Sequence, residues 1–354
     1  MPSFIDTPGI TPDFIGLNRS RAVGAGLDPF AYDRVTAGVP DLHGWPPVLA
    51  EAARAHLAAA LRAEADGLRV TAAAEFRTAA RWFHIATVLP HPDTDLLAAL
   101  EAEADAATGR ALALAEPDRA ERVEGPGFAG WLRRPAGVTT PPVVLVAPGL
   151  DSSKEEFHVL ADALLARGLA VAAFDGPGQG VCAATSAPEP AYHRVVGAVL
   201  DRLADAPGID VGRAALVGMS LGGYYAAESA AHEPRLRAAV AVSGPHHLTW
   251  DELPPFVTDT LTRRCGSPDA ARAFAASVDL RATAAQIPIP LLVVEGGTDV
   301  TPGVTTAAAA AEAAPHGELL LVPHGDHLLG NAQGDWLPHT ADWLATRLRA
   351  TRGS

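Results

Sequence analysis

The sequence has little lysine and far fewer basic than acidic side chains, and this shortage removes whole classes of partner. The 354-residue chain has 27 lysines and arginines, of which Lys154 is the single lysine, against 41 acidic residues, for a net charge of −14. A surface that binds nucleic acid or an anionic membrane needs a concentration of basic groups. We therefore expect neither partner.

Cysteine and long apolar runs are scarce as well. The two cysteines, Cys182 and Cys265, lie far apart, so neither a disulfide framework nor a CxxC zinc site is expected. No apolar run approaches the roughly 20 residues of a membrane helix. The opening MPSFIDTPGITPDF lacks the basic and apolar regions of a signal peptide. These absences predict a cytoplasmic protein that binds no metal.

The amino-acid composition divides the chain into three regions. Residues 1 to about 40 are rich in glycine, proline and aspartate, and we expect them to wrap a surface. From about 46 to 115, alanine, leucine, glutamate and arginine recur with apolar spacings of three and four, which predicts three or four helices. After about 120 an antiparallel hairpin is expected in RVEGPGFAGWLRRPAG, and the closing WLPHTADWLATRLRA predicts an amphipathic helix.

Between the hairpin and the closing helix, apolar β-branched runs alternate with helical segments. Such continuous apolar strands are typical of a mostly parallel, doubly wound sheet covered on both faces. We predict an α/β domain over residues 121–354 and an N-terminal helical domain over residues 1–120 that covers the active site. The predicted strands are 142–148, 169–175, 214–220, 238–244, 290–296 and 318–323.

The strongest chemical motif is GMSLGG, residues 218–223. It fits G-x-S-x-G between a strand and a helix, the context in which a serine nucleophile is raised on a tight turn. Ser220 is therefore the predicted nucleophile, and the fold it indicates is that of the α/β-hydrolases. A serine hydroxyl needs a base, and this fold supplies an acid and then a histidine after later strands.

The expected base and acid lie at the ends of the last two predicted strands. His327 in HGDHLLG is the expected base, with His324 as the alternative. Asp299 in GGTD is the expected orienting acid. Its weaker rivals are Glu295 and Asp326.

An oxyanion hole on this fold uses two backbone amides, one from the residue after the nucleophile and one from the loop after the first long parallel strand. The first is Leu221. The second is predicted to be Leu150, because Gly149 before it lets the chain turn close to the serine.

The stretches PGLDSSKEEF, FDGPGQG, GMSLGGYYAA, GGTD and HGDH, with the helical N-terminal region, resemble the α/β-hydrolases related to 2,6-dihydroxypseudooxynicotine hydrolase. That group includes fermentation-respiration-switch-like proteins and fungal hydrolases that shorten polyketides. The resemblance implies cleavage of an ester or of a carbon–carbon bond next to a ketone, without metal or organic cofactor. It implies a small-molecule substrate between the helical domain and the sheet, and it leaves a homodimer open.

The resemblance also implies a role for Asp151. Nicotine-pathway members have a glutamate here that approaches the substrate, and the shorter aspartate indicates a different substrate geometry. Other residues expected near the pocket are Tyr224, His246 and His84. Lys154, Glu155 and Glu156 start a helix, and we expect Lys154 to lock the loop through an ion pair.

Three functions remain open from the sequence. The leading one is a cofactor-free serine hydrolase acting on a polyketide-like or aromatic metabolite. The second is a lyase that uses the same three residues to eliminate an acyloxy group such as acetate. The third is a scaffold that has kept the fold without catalysis, which the intact order of serine, acid and histidine disfavours. Attack by the serine itself or by a base-assisted water also stays open.

Overall fold

The computed structural model describes residues 3–349. Its N-terminal part is helical, and the alanine-rich stretch forms three long helices, as its spacing predicts. Two shorter helices precede them, which the sequence did not predict. In order they are α1 (Ile10–Gly24), α2 (Pro29–Thr36), α3 (Trp45–Ala65), α4 (Arg69–Ala86) and α5 (Thr94–Ala115).

The glycines and prolines of the first 40 residues do not prevent helix formation, and some of them mark helix starts. Gly9, with φ of 77°, precedes α1, where a left-handed backbone suits glycine. Pro29 opens α2, a position at which the missing N–H costs no hydrogen bond. The side chain of Asp28 accepts the Ala31 N–H at 2.7 Å and caps the helix.

The rest of the chain builds an eight-stranded sheet in the order β1-β2-β4-β3-β5-β6-β8-β10, with β7 and β9 paired separately. β1 and β2 form the predicted antiparallel hairpin, and β3 to β10 of the main sheet run parallel. The strands are β1 (Ala120–Gly125), β2 (Phe128–Arg133), β3 (Pro142–Ala147), β4 (Ala170–Asp175), β5 (Asp210–Met219), β6 (Leu236–Val242), β7 (Pro245–Leu248), β8 (Leu291–Gly296), β9 (Val304–Thr306) and β10 (Gly317–Val322).

Helices cover both faces of the sheet, which explains why its central strands are apolar throughout. One apolar layer packs under α7 and α8, and the other packs under α6 and α12. The remaining helices are α6 (His158–Leu165), α7 (His193–Ala204), α8 (Leu221–His232), α9 (Pro255–Cys265), α10 (Pro268–Ser277), α11 (Ala308–Ala313) and α12 (Gln333–Arg347).

This architecture confirms the predicted α/β-hydrolase fold with a helical N-terminal region. The parallel strands end at one edge of the sheet, so the loops after β3, β5, β6, β8 and β10 meet there. The division into two domains at residue 120 stays a prediction. Within residues 3–349, every helix is too short or too polar to cross a membrane.

Candidate active site

Ser220 sits on a strained turn between β5 and α8. Its φ of 55° and ψ of −123° are unusual for a residue with a side chain. The turn is tight enough to demand glycine on both sides: a Cβ at Gly218 would lie 1.7 Å from the Gly222 carbonyl oxygen, and a Cβ at Gly222 would lie 2.4 Å from the Ala147 oxygen. The serine hydroxyl is thereby held above the edge of the sheet.

Three side chains from separate loops form a chain of hydrogen bonds at this edge. The Ser220 hydroxyl lies 3.0 Å from Nε2 of His327, and Nδ1 of His327 lies 2.8 Å from Oδ2 of Asp299. This arrangement fits a tautomer in which Nδ1–H donates to Asp299 and Nε2 accepts from Ser220. The residues come from the ends of β5, β8 and β10, which are far apart in sequence but end at the same edge of the sheet.

The electrostatics of these hydrogen-bonded residues make the His327 imidazole more basic. Burial lowers the pKa of His327, but the hydrogen bond and charge of Asp299 outweigh it and hold that pKa above its ordinary value. The side chain keeps 48% of its surface accessible, and that surface faces the cavity described below. His327 can therefore take up a proton from Ser220 and still meet a ligand.

Within residues 3–349, none of the rival residues His324, Glu295 and Asp326 forms a side-chain hydrogen bond with Ser220 or with the His327 ring. His324 lies 3.1 Å from Asp335 on the surface. Among the described residues, Asp299 is the only carboxylate that pairs with the His327 ring. Glu295 is buried beneath this group, and burial, with the charge of Asp299, raises the pKa of its carboxyl to about 8.

Two backbone amides flank Ser220. Leu221 opens α8, so its N–H has no partner within the helix. On the other side, a Cβ at Gly149 would lie 3.0 Å from the Ser220 Cβ, which shows how closely the loop after β3 approaches. Leu150 follows directly, and its N–H donates to no acceptor among residues 3–349. The structure thus places Leu150 and Leu221 beside the serine, and their role as oxyanion donors stays a prediction.

An apolar cavity of about 510 Å³ opens above these groups. Ser220, His327 and Asp299 lie on its floor. Its walls come from a short 3-10 helix (Phe4–Asp6), α1, β7 and α9. They include Phe4, Phe14, Leu17, Leu248, Phe256 and Leu261. The volume and lining suit a small organic molecule with an apolar body.

Comparison with known proteins identifies the family of the chain. Residues 49–286 match the family model described as FrsA-like esterase. The chain belongs to the FrsA-like esterase family. This confirms the resemblance that the sequence motifs carried.

Among relatives of this FrsA-like chain, the 2,6-dihydropseudooxynicotine hydrolase of Paenarthrobacter nicotinovorans is 32% identical over 228 residues, 63% of this chain and 62% of the relative. The 20-hydroxy-prefusarin hydrolase FUS2 of Gibberella moniliformis is 40% identical over 114 residues, 30% of this chain and 27% of the relative. Each alignment spans less than two thirds of the curated relative. The crystal structure of the 2,6-dihydroxy-pseudo-oxynicotine hydrolase superposes with a TM-score of 0.78 and 28% identity, covering 96% of this chain and 95% of that one.

Of the four residues expected to bind substrate in this FrsA-like protein, only Asp151 lies on the cavity wall. Tyr224 and His246 do not line it, which corrects that expectation. The Tyr224 hydroxyl donates to backbone carbonyls of Ser277 and Pro190, because the first turn of α8 carries this side chain away from the cavity into the core.

His246 is buried beside the segment after α10, where its carbonyl accepts the N–H of Leu280. His84 also lies away from the cavity wall, and this third expectation is corrected too. The ring is 1% exposed, with Nε2 2.9 Å from Glu156 and Nδ1 2.9 Å from the Ser153 hydroxyl. The loop after β3 covers His84, so it supports that loop from behind.

Arg21 is a site residue that the sequence reasoning missed. It reaches from α1 to the cavity, where its Nη1 donates to Asp151 at 2.8 Å and its Nε donates to Glu156 at 2.7 Å. Burial alone would lower the pKa of Arg21, but both carboxylates outweigh it and raise that pKa. Burial likewise opposes ionisation of Glu156, yet Arg21 and His84 hold its pKa far below its usual range. Nothing in the local sequence distinguishes Arg21 from the other arginines.

Lys154 occupies a buried cluster behind the same loop and is 4% exposed. Its ammonium lies 2.7 Å from Asp175, 2.9 Å from Asp105 and 3.0 Å from Glu155. Burial lowers the pKa of Lys154, but the three carboxylates raise it by more. Because Asp105 belongs to α5 and Asp175 ends β4, the lysine joins the helical part to the sheet at the loop that carries Leu150.

One further group has the side chains of a metal site, and it lies apart from the cavity. Glu228 and His232 on α8 meet His193 at the start of α7. The Glu228 carboxylate accepts both the backbone N–H and the Nδ1–H of His193, so it caps the N-terminus of α7. These contacts account for the cluster as a link between two helices.

Replacing Arg21 tests whether it anchors the loop after β3 as a buried cation or contributes no more than a surface charge. Arg21→Met leaves Asp151 and Glu156 without their cation, and we expect about 3 kcal/mol of lost unfolding free energy, since one partner of a buried pair is removed. Arg19→Met is the matched control, because Arg19 lies on the same helix and pairs with Asp33 at the surface. Urea unfolding measures both. Equal, small losses for the two variants would contradict a buried anchoring role for Arg21.

Proposed function

We propose that this FrsA-like protein is a serine hydrolase that cleaves an ester, or a carbon–carbon bond next to a ketone, in an apolar small molecule. The observation that carries the proposal is the hydrogen-bonded chain of Ser220, His327 and Asp299 on the floor of the 510 Å³ apolar cavity. Two relatives named as hydrolases of a pseudooxynicotine and of a prefusarin support an aromatic or polyketide-like substrate.

In the proposed reaction the Ser220 oxygen attacks the substrate carbonyl while its proton passes to Nε2 of His327. Asp299 stabilises the imidazolium that forms. The N–H groups of Leu150 and Leu221 hold the negative charge on the former carbonyl oxygen. His327 then returns the proton to the departing alkoxide or enolate, and a water molecule releases the acyl group from Ser220.

Asp151 is proposed to orient the substrate from the cavity wall. Its Oδ2 is occupied by Arg21, which holds the carboxylate in place beside the reacting groups. A carboxylate in an ion pair accepts hydrogen bonds, so we propose that it receives a hydroxyl or enol hydrogen of the substrate. Arg21 acts on the substrate through this residue.

The proposal is tested in ¹⁸O-labelled water with a panel of aryl esters, aromatic β-diketones and β-acyloxy ketones, the last of which can either hydrolyse or eliminate. Hydrolysis places label in the carboxylic acid product. An acid released without label, together with an alkene, would overturn hydrolysis in favour of elimination by the same residues. A panel that yields no product, with no labelling of Ser220 by a fluorophosphonate, would overturn catalysis and favour a scaffold.

The pH dependence of turnover should follow the protonation state of the His327 imidazole. The imidazole must be neutral to accept the serine proton, and its pKa is raised by Asp299, so kcat/KM should rise with pH through a midpoint above that of an ordinary histidine. Asp299→Asn removes the charge that raises this pKa, and the midpoint should then move to lower pH while the rate falls about 10⁴-fold. Stopped assays between pH 5 and 9 measure both, and an unmoved midpoint in Asp299→Asn would contradict this assignment.

A further inference from the structure

Backbone strain in the described chain is concentrated at one place. Every residue other than glycine with a positive φ in residues 3–349 lies at the candidate active site: Ser220 at 55°, Ser243 at 50°, Leu328 at 65° and Leu329 at 52°. Such conformations persist only where the surrounding contacts enforce them, and they cluster where geometry serves function. Ser220 and the two leucines belong to the nucleophile turn and the His327 loop. Ser243 belongs to neither, so it needs its own explanation.

Ser243 follows β6, between the strands that carry the nucleophile and the acid. Its N–H donates to the Val294 carbonyl of β8 at 2.9 Å. Its hydroxyl accepts the N–H of Leu328 at 3.1 Å. Ser243 is 5% exposed, and it lines the cavity. The strained backbone thus aims a buried hydroxyl at the residue immediately after His327.

The same strand end also holds the nucleophile. Val242, the last residue of β6, accepts the N–H of Ser220 at 2.8 Å. Two consecutive residues, Val242 and Ser243, therefore hold Ser220 and the His327 loop at a fixed separation. The separation of these two backbone segments helps to set the 3.0 Å distance between the Ser220 hydroxyl and Nε2 of His327, to which proton transfer is sensitive.

We propose that Ser243 is a positioning residue for His327, acting through the Leu328 amide. The inference rests on the proposed hydrolase function and adds a determinant of its geometry. Loss of the hydroxyl leaves Leu328 N–H without its acceptor and lets the His327 loop relax from its left-handed turn. The ring then moves from Ser220 and from Asp299 together.

The charges that face His327 set the direction of the pH effect. Asp299 after β8 and Asp151 after β3 raise the pKa of the imidazole, whereas burial and Arg21 of α1 lower it. Glu295 lies at the end of β8 beneath the pair. Asp299 supplies the main opposition to burial, so a looser contact with Asp299 should lower the pKa of His327.

The experiment follows the rate at which a fluorophosphonate labels Ser220 as a function of pH, which needs no known substrate. Ser243→Ala removes the hydroxyl and keeps the Cβ, and Ser243→Gly removes the hydroxyl and relieves the strain. Ser229→Ala is the matched control, because Ser229 is a fully buried serine on α8 away from the His327 loop. We expect labelling about tenfold slower in both Ser243 variants, with the midpoint moved to lower pH, and an unchanged profile in the control.

The outcomes separate this inference from the proposed function. A wild-type protein that is not labelled overturns the hydrolase proposal and this inference with it. If the wild-type protein is labelled and Ser243→Ala shows the same rates at every pH, this inference is overturned and the hydrolase proposal stands. Normal labelling in Ser243→Gly with slow labelling in Ser243→Ala also overturns it, because backbone strain rather than the hydroxyl would then be responsible. Thermal unfolding of each variant shows that the rates are measured on folded protein.

Discussion

Ser220→Ala is expected to lower kcat by about 10⁴- to 10⁶-fold on any substrate that the wild-type protein turns over, because serine, histidine and acid act as a unit. The hydroxyl lies 3.0 Å from His327 and on the cavity floor. The hydroxyl contributes little to packing there, so the variant should fold. KM should change little, since the apolar walls that bind the substrate are intact. Steady-state kinetics measure kcat and KM, and a thermal unfolding curve shows whether the variant folds.

The matched control for this prediction is a histidine in the same loop as His327. His324→Ala removes an imidazole that contacts Asp335 on the surface, and it should retain nearly full activity. His327→Ala should lose about as much as Ser220→Ala. Full turnover by Ser220→Ala would contradict the serine mechanism. Strong loss in His324→Ala with little loss in His327→Ala would reassign the base.

Lys154→Met is expected to lower the unfolding free energy by about 3–5 kcal/mol, because it leaves Glu155 and Asp175 buried without their cation and removes one of the two cations that pair with Asp105. Methionine keeps much of the side-chain volume, so the loss reports charge rather than packing. Urea unfolding measures it. Adding Glu155→Gln to Lys154→Met should recover part of the loss, since one fewer carboxylate then lacks a partner.

Arg19→Met again serves as the control, because it removes a cation from an exposed pair and should cost less than about 1 kcal/mol. Lys154→Met should lower stability and leave the rate of the chemical step nearly unchanged, since Lys154 does not line the cavity. A stable Lys154→Met protein that has lost labelling of Ser220 would contradict the structural assignment. The lysine would then act in the chemistry.

The fold and the tight turn that carries Ser220 could be predicted because their signals are local. Apolar strands alternating with helical segments specify a parallel sheet, and a tight turn between strand and helix demands glycine on both sides of Ser220. Once that fold is recognised, the order of strands places Asp299 and His327. The resemblance pointed to the family, and the match over residues 49–286 confirmed it.

The cavity wall was harder to predict, because it depends on which face of each element turns inward. Tyr224 follows Ser220 by four residues, yet the helix carries it into the core. Arg21 lies 130 residues before Asp151 and contacts it only because α1 folds back over the sheet edge. Neither fact has a signature in a short stretch of sequence.

The sequence alone determined the α/β fold, the serine turn and a lone lysine in a run of acids, since each depends on neighbours in the chain. Only the tertiary structure decided that Lys154 is shared by Asp105 of α5 and Asp175 of β4, that Arg21 holds Asp151, and that Ser243 bonds the residue after His327. The reason is that buried charges and hydroxyls find partners wherever packing brings them close, and packing joins segments far apart in sequence.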